Sequence, residues 1–256
     1  MIPTVINKTV LFFLDFFYPE FCILCDKNLD TSREIAICAD CRIKNIIRKK
    51  PEFICYKCGR EILVDLKIPA ELIICRDCLN AKLYYEQCRH IFHYSDAIQK
   101  IIKRYKYDCK RDFADLLTDE IIFYIKNPEN EYSEIAFDLI TNIPGHKNKI
   151  KKKEFDHINI LCEKLSARLN INYLSNILIK YKDTPNQAGL ARKERIKNVK
   201  NSFQLNSAFD LSQFENKNIL LIDDVFSTGS TINECSKPLK KGCPTVKIYG
   251  LTIARG

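Results

Sequence analysis

The chain has 256 residues, of which 46% are hydrophobic and 29% are charged, and its formal net charge is +9. This composition predicts a soluble globular protein of one large or two modest domains, and it excludes a chain too polar to form a core. Residues 1–89 carry 14 basic and 12 acidic side chains, so an excess of +7 lies after Arg89. Such an excess favours phosphorylated ligands or nucleic acid, although a lysine-rich composition that only keeps a protein soluble gives the same charge.

An apolar stretch, VLFFLDFFYP, occupies residues 10–19. The run before Asp15 is too short for a transmembrane segment, and no small-residue cleavage site follows it. We expect an amphipathic helix packed on the protein, with contact to a membrane surface as the alternative. The expected location is the cytoplasm, with the inner face of the membrane as the alternative. In that reducing compartment the thirteen cysteines are expected to be mostly thiols or metal ligands.

Eight of these cysteines form four CxxC pairs, a spacing that lets both sulfurs of a knuckle face one ion. Two knuckles supply the closed tetrahedral sulfur shell of structural zinc, and Gly59 fits the tight turn of the third knuckle. The predicted metal ligands are Cys22, Cys25, Cys38, Cys41, Cys55, Cys58, Cys75 and Cys78.

The spacing leaves the pairing of these knuckles open. Two sequential sites, an interleaved pairing of first with third and second with fourth, or one occupied site all fit the sequence. Disulfides are disfavoured by the expected compartment and by the odd number of cysteines, and rubredoxin-like iron is a lesser alternative. Every arrangement leaves no open coordination position, so the metal is expected to be structural.

Residues 88–126 are predicted to form a strand and two helices that bridge the domains. Apolar residues recur at helical spacing in two groups: Ile98, Ile101, Ile102 and Tyr105, then Phe113, Leu116, Leu117 and Ile121. We expect a zinc domain with its amino-terminal helix at residues 1–87 and an α/β domain at residues 88–256.

The core sheet is predicted to begin with a strand at residues 138–143, followed by a helix from about Glu154 to Leu169. Between them lies the lysine loop, HKNKIKKK at residues 146–153. This loop leaves the carboxyl end of a strand, where ligands bind in open α/β sheets, so it is a candidate for binding pyrophosphate or a nucleic-acid backbone. A solvated basic loop is the alternative.

A strand is expected at residues 173–179, and residues 180–198 are predicted to form a long polar loop. Loops of this length in compact domains are usually functional. This one could close over a ligand as a lid, with Arg192 and Arg195 steadying negative charge.

The segment ILLIDDVFSTGSTI, residues 219–232, combines an apolar strand, two acids and a turn of small residues before a helix. The strand delivers Asp223 and Asp224 to its carboxyl end. Successive N–H groups of the turn can bind an anion at the positive end of the helix, and a Walker-type site is disfavoured because no Gly-Lys-Ser/Thr follows. The turn residues are Ser227, Thr228, Gly229, Ser230 and Thr231.

This segment resembles the signature loop of type I phosphoribosyltransferases. The resemblance implies a doubly wound, mostly parallel sheet, in which the acids hold the ribose hydroxyls of phosphoribosyl pyrophosphate (PRPP) with magnesium. It also implies that the turn holds the 5-phosphate. Purine-salvage relatives often carry an acid as base where this chain has Ser227, so transfer to a hypoxanthine-like purine is not supported.

Nearly the whole chain resembles the ComF family of competence-associated phosphoribosyltransferase-like proteins. The likeness is carried by the cysteine pairs, the loop at residues 219–232, the ending LTIARG, a Lys-Tyr pair, and residues within or just after the predicted lid. Those residues are Lys106, Tyr107, Thr184, Pro185, Gln187, Arg192, Arg195, Asn198, Val199 and Phe203. The chain departs from the family at residues 153–157, where it has KEFDH and many family members have Arg-Gly-Phe-Asn-Gln.

Two functions follow from these resemblances. The first is a PRPP-binding protein that handles or takes up single-stranded DNA during natural transformation together with competence-protein partners, with residues 103–107 (KRYKY) and the lysine loop as DNA-binding candidates. The alternative is an active phosphoribosyltransferase that transfers ribose 5-phosphate from PRPP to an unidentified acceptor in nucleotide metabolism. Its predicted catalytic residues are Asp223, Asp224, Arg192 and Arg195.

Overall fold

The computed structural model describes residues 21–29, 36–45, 53–63, 69–107, 112–145, 156–184 and 191–256. The amino-terminal apolar stretch and the lysine loop lie outside these ranges, as do Cys109, Pro185 and Gln187, so the expectations for them remain predictions. The chain forms two compact units: residues 1–48 with 95–113, and residues 49–94 with 114–256. The predicted domain boundary between residues 87 and 88 remains a prediction.

Seven helices and seven strands lie in the described ranges. The helices are α1 (Ala39–Asn45), α2 (Arg76–Leu79), α3 (Asp96–Tyr107), α4 (Asp112–Lys126), α5 (His157–Leu169), α6 (Arg192–Val199) and α7 (Ser230–Gly242). The strands are β1 (Gln87–His93), β2 (Leu139–Asn142), β3 (Asn172–Tyr173), β4 (Leu178–Lys180), β5 (Phe203–Leu205), β6 (Asn218–Phe226) and β7 (Lys247–Arg255). Within the described part of the chain, no helix has the length and apolar character needed to cross a membrane.

The smaller unit contains α1 and α3. The four apolar residues that the sequence assigned to one face of α3 are at most 3% exposed, which confirms that face: Ile98, Ile101, Ile102 and Tyr105. Ser95 begins the helix, since its Oγ accepts a hydrogen bond from the N–H of Ile98 at 3.3 Å.

The larger unit is built on a five-stranded sheet in the order β1-β7-β6-β2-β3, in which every pairing is parallel. Strands β4 and β5 form a separate antiparallel pair. The predicted α/β class with a mostly parallel sheet is therefore confirmed. Ile219 to Ile222 are fully buried on both faces of β6, as a continuous apolar run in a parallel strand requires.

The order of the strands determines where a ligand can bind. From β6 the chain passes through α7 to β7 on one side, whereas from β2 it passes through α5 to β3 on the other side. Right-handed crossovers in opposite directions lie on opposite faces of a sheet, so the sheet is doubly wound. The adjacent strands β6 and β2 thus flank the switch point, whose carboxyl end is where open α/β sheets bind ligands.

Strand β6 is longer than its apolar run. It continues through the acid pair to Phe226, with Asp223 opposite Thr252 and Phe226 opposite Arg255 on β7. The acids therefore lie in the last part of the strand, at the carboxyl end where the sequence placed them. Backbone groups alone make the ladder, so polar side chains do not end it.

The stretch predicted as one strand at residues 173–179 is divided between β3 and β4. Asn176 lies between them with φ 61°, a left-handed conformation that a strand cannot contain. The helix predicted before this stretch, from about Glu154 to Leu169, is α5 and ends at Leu169 as expected. It begins at His157, because the Asp156 side chain caps it by accepting from the N–H of Asn159 at 3.2 Å.

The predicted loop at residues 180–198 contains helix α6. Only Val199 of this helix is buried, so α6 lacks the apolar periodicity by which a helix is recognised in a sequence. The helix begins where Glu194 accepts a hydrogen bond from the N–H of Ala191 at 2.8 Å.

The second pair of cysteine knuckles belongs to the larger unit. Cys55, Cys58 and Cys75 are buried in the same apolar cluster as Ile232 of α7 and Ile219 of β6. This part of the cysteine-rich segment therefore shares a core with the parallel sheet.

Candidate functional site

Asp223 and Asp224 lie side by side at the carboxyl end of β6. The Oδ1 atom of Asp223 accepts a hydrogen bond from the N–H of Asp224 at 2.9 Å, which fixes one carboxylate against the backbone. Asp224 is 19% exposed, and its Oδ2 lies 3.3 Å from Nε2 of His157. Two adjacent carboxylates in this position are the kind of group that accepts hydrogen bonds from a sugar diol or binds a hard cation.

His157 is a site residue that sequence reasoning did not assign. It is the first residue of α5, which packs against β2 and β6, and its side chain is 15% exposed. Only the strand order brings it to the acid pair, across 67 residues of sequence. The departure from the ComF pattern at residues 153–157 is the one signal in the sequence that pointed to this segment.

Gly229 closes the turn after β6 and caps α7. Its φ is 76°, in the left-handed region that favours glycine. A Cβ at this position would lie 2.6 Å from Cζ of Phe226, so the ring leaves no space for a side chain. The conformation and the close approach both explain why a glycine is present here.

The turn has the donors that an anion needs. Thr228 Oγ1 lies 2.7 Å from Ser230 Oγ and accepts from the N–H of Ser230 at 3.3 Å. Among the residues that the structure describes, the backbone N–H groups of Ser227, Thr228 and Gly229 donate to no protein acceptor. These groups precede the 13-residue helix α7, so unused donors and the positive end of a helix dipole coincide.

A cavity of about 250 Å³ brings the predicted lid arginines to this turn. It is lined by Arg192 and Arg195 of α6 together with Ser227, Thr228 and Gly256. The sequence placed these arginines in one segment and the turn in another, and the structure brings them together. The cavity can therefore combine neutral donors with two guanidinium groups, a suitable set for a phosphate.

Asp77, from the fourth cysteine knuckle, ties Arg192 to the cysteine-rich segment. Its Oδ2 lies 2.7 Å from Nη2 of Arg192 and 2.7 Å from Nη2 of Arg60. The close contact with the Arg192 guanidinium and the charges of both arginines hold the pKa of Asp77 below its ordinary value. Sequence reasoning missed this contact because nothing in the CxxC spacing distinguishes Asp77.

The eight paired cysteines form two sequential clusters, Cys22 with Cys25, Cys38 and Cys41, and Cys55 with Cys58, Cys75 and Cys78. In each cluster the four Sγ atoms lie within 4.8 Å of one another. The Sγ–Sγ distance is 3.7 Å between Cys25 and Cys38 and again between Cys58 and Cys75. Tetrahedral zinc with bonds of about 2.3 Å places its sulfurs about 3.8 Å apart, so both donor sets fit structural zinc.

Backbone groups support the second cluster. The N–H of Cys75 donates to Sγ of Cys55 at 3.2 Å, and Arg255 Nη1 donates to the carbonyl oxygen of Cys58 at 2.6 Å. Gly59 has φ 63°, which agrees with the tight turn expected there. Burial, followed by the charge of Arg255, lowers the pKa of His90 to about 3, and its Nε2 lies 3.1 Å from the Gly59 carbonyl oxygen.

The described cysteines outside these clusters are buried, in agreement with a packing role: Cys88, Cys162, Cys235 and Cys243. Burial raises the pKa of the Cys162 and Cys235 thiols well above the ordinary value, so both remain protonated at neutral pH.

Comparison with protein families matches residues 13–79 to the double zinc ribbon domain. The match spans all four cysteine knuckles. Together with the two clusters of four cysteine sulfurs, it supports structural zinc in the amino-terminal part of the chain.

Two curated relatives match the chain over almost its whole length. Competence protein F of Haemophilus influenzae is 28% identical over 239 residues, which cover 93% of this chain and 99% of that protein. Competence protein ComFC of Bacillus subtilis is 25% identical over 250 residues, with 91% and 94% covered.

Among solved structures, adenine phosphoribosyltransferase from Saccharomyces cerevisiae matches 64% of this chain and 76% of its own. The TM-score is 0.37 and the sequence identity is 13%. The fold class of this chain rests on its own sheet order and on the zinc ribbon match.

Proposed function

We propose that this chain, a homologue of competence protein F and ComFC, binds PRPP and handles single-stranded DNA during natural transformation. The observation that supports PRPP binding is the acid pair at the end of β6, directly before a glycine-capped turn with unused N–H donors. The DNA-handling part rests on the competence proteins to which the chain is homologous.

In the proposed complex the 5-phosphate lies in the turn formed by residues 227–231. The N–H groups of Ser227, Thr228 and Gly229 donate to its oxygens, and the dipole of α7 adds to the attraction. Asp223 and Asp224 accept hydrogen bonds from the ribose hydroxyls. They are also the residues that would hold magnesium, which prefers carboxylate oxygens and substrate phosphates.

Arg192 and Arg195 line the same cavity as the turn. Their positive charges offset the negative charges of the diphosphate group of PRPP and increase the local concentration of an anionic ligand. Catalytic transfer, with Asp223, Asp224, Arg192 and Arg195 as catalytic residues, remains the alternative prediction.

The proposed DNA surface differs in part from the one expected from the sequence. Tyr105 has no exposed surface, so within KRYKY this ring cannot serve as a base-stacking platform, whereas Lys103 and Arg104 are exposed on α3. In the larger unit Tyr94 is 39% exposed and lies beside Gly256, which lines the phosphate cavity. We propose that Tyr94 stacks on a base next to the PRPP site.

Binding of an unstructured oligonucleotide tests the DNA part. We expect its affinity to fall steeply between 50 and 200 mM salt, with a slope of roughly −0.7 in log K against log salt concentration for each phosphate contacted. Tyr94→Leu is expected to weaken binding roughly 5- to 150-fold, because stacking of one base contributes about 1–3 kcal/mol.

Phe123→Leu is the matched control, since Phe123 is an exposed ring at 52% on α4 of the same unit. Equal binding at low and high salt would contradict a phosphate-binding surface. Equal effects of the two ring substitutions would contradict the role of Tyr94. Within the cell we propose a cytoplasmic location, with the inner face of the membrane as the alternative, and competence-protein partners.

A further inference from the structure

We propose that a second cavity, between the fourth cysteine knuckle and the phosphate turn, binds a nucleotide through its phosphate group. The nucleotide is either free or the 5′-phosphorylated end of a DNA strand. The proposal rests on the proposed function in one respect, because it takes the neighbouring cavity as the PRPP site.

The cavity has a volume of about 420 Å³, within the range of roughly 300–1,000 Å³ found for small-molecule sites. Its lining extends from Cys58 and Cys78 to Thr228 and Ser230 of the turn. Arg192 and Thr228 line both this cavity and the smaller one beside the turn. A ligand in the second cavity would therefore be adjacent to one bound in the first.

Four arginines line the cavity, and three of them are held in place. Arg60 and Arg192 both bind Asp77, the one acidic residue in the lining. Arg255 lies 4.6 Å above the ring of Phe226 and donates to the Cys58 carbonyl oxygen. Guanidinium groups fixed in this way lose little freedom when they bind an anion.

Arg76 is the fourth arginine, and its side chain makes no ion pair or hydrogen bond within the described ranges of the chain. It follows Cys75 at the start of α2 and is exposed. A planar guanidinium group can bind two oxygens of one phosphate. Arg76 is therefore the side chain that we assign to the phosphate.

The charges of the lining favour an anion even when the cysteines hold zinc. Zinc bound by four thiolates carries two negative charges, and Asp77 adds one. Four arginines exceed these three negative charges by one. The arginines thus neutralise the zinc site and still leave the cavity positive.

The remaining wall suits a base better than inorganic phosphate alone. It combines the rings of Tyr85 and Phe226 with Leu83 and Ile196, and the side-chain amide of Asn80 adds a donor and an acceptor. The Asn233 side chain is already bonded, since its Oδ1 accepts from the N–H of Tyr84 and its Nδ2 donates to the Lys82 carbonyl oxygen. Apolar surface with a few polar groups is typical of sites that bind a planar ring. A nucleotide supplies the ring and the phosphate in one ligand.

Titration of zinc-loaded protein tests the proposal, with deoxyadenosine 5′-monophosphate, deoxyadenosine, and a short oligothymidylate with or without a 5′-phosphate as probes. Each is titrated in the absence of PRPP and at saturating PRPP with magnesium. The variants are Arg76→Gln, which removes the charge, and Ala81→Phe, which fills the cavity from an exposed lining position. Arg42→Gln is the matched control, since Arg42 also directly follows a cysteine ligand but belongs to the first cluster.

We expect a phosphorylated probe to bind roughly 10- to 100-fold more tightly than its unphosphorylated counterpart, and both variants to lose that difference while Arg42→Gln keeps it. Preference for the mononucleotide or for the oligonucleotide identifies the source of the phosphate. Equal binding of phosphorylated and unphosphorylated probes, or equal effects of Arg76→Gln and Arg42→Gln at unchanged zinc content, would overturn the proposal. Failure of the proposed function is distinguishable, because it appears as absence of PRPP binding to the unsubstituted protein.

Discussion

Gly229 connects the acid-bearing strand to the helix that follows it, and the sequence placed it in the turn predicted to bind an anion. Its left-handed backbone and its contact with Phe226 are now specific reasons for that residue. The acid pair and the turn could be predicted because a strand, a turn and a helix start are local patterns. His157 could not, since its contact with Asp224 depends on the packing of α5 against β6.

Gly229→Ala tests the residue-scale account. We expect the free energy of unfolding to fall by about 1–2 kcal/mol, because a side chain is strained at positive φ, and PRPP binding to weaken with it. Urea denaturation and titration measure the two effects. Gly242→Ala is the control, because its Cβ would meet only the flexible ends of Leu205 and Leu211. Equal losses in the two variants would contradict the special role of the turn glycine.

At the scale of elements, α6 was the main feature that sequence patterns did not predict. Its sequence is charged and mostly exposed, and such a sequence predicts a polar loop. The position of α6 depends on contacts with α7 and with Asp77. The strand at residues 173–179 was predicted in type but not in extent, because a single left-handed asparagine divides it. Long-range ion pairs and local backbone reversals are not visible in hydrophobic periodicity.

Asp77→Asn tests the link between the fourth cysteine knuckle and α6. Both side chains of the Asp77–Arg192 pair are more than a third exposed, so we expect less than about 1 kcal/mol of lost stability. Hydrogen exchange at residues 192–199 is expected to accelerate, because α6 loses its ion pair with Asp77. Asp119→Asn breaks a comparable exposed pair with Arg168 and is the control. Unchanged protection of α6 in Asp77→Asn would contradict the link.

At the scale of the whole molecule, the two cysteine clusters belong to different compact units. The first lies with α1 and α3, whereas the second is part of the core that contains the parallel sheet. The spacing of the knuckles predicted zinc ligation but left the pairing open, because CxxC repeats carry no information on which knuckles meet. The burial of the second cluster in the same core as the sheet depends on tertiary packing, so it could not be predicted from the sequence either.

Substitution of one ligand in each cluster tests this difference. We expect Cys55→Ser to reduce the stability of the sheet unit by on the order of 2–5 kcal/mol, the range for loss of a disulfide cross-link, and to weaken PRPP binding. Cys22→Ser is expected to lower the zinc content without either effect. Zinc analysis, urea denaturation and hydrogen exchange at β6 measure these outcomes. Equal destabilisation of β6 by both substitutions would contradict the assignment of the second cluster to the sheet core.

Calorimetric titration of PRPP with magnesium is the most direct test of the central claim, that the acid pair and the turn bind a phosphorylated ribose. The unsubstituted chain is expected to bind one PRPP. The double variant Asp223→Asn, Asp224→Asn is expected to bind at least about 100-fold more weakly, because two charged acceptors are lost. The control, Asp115→Asn with Asp119→Asn, removes the same charge from α4. No heat with the unsubstituted chain, or the same affinity in both double variants, would contradict the account.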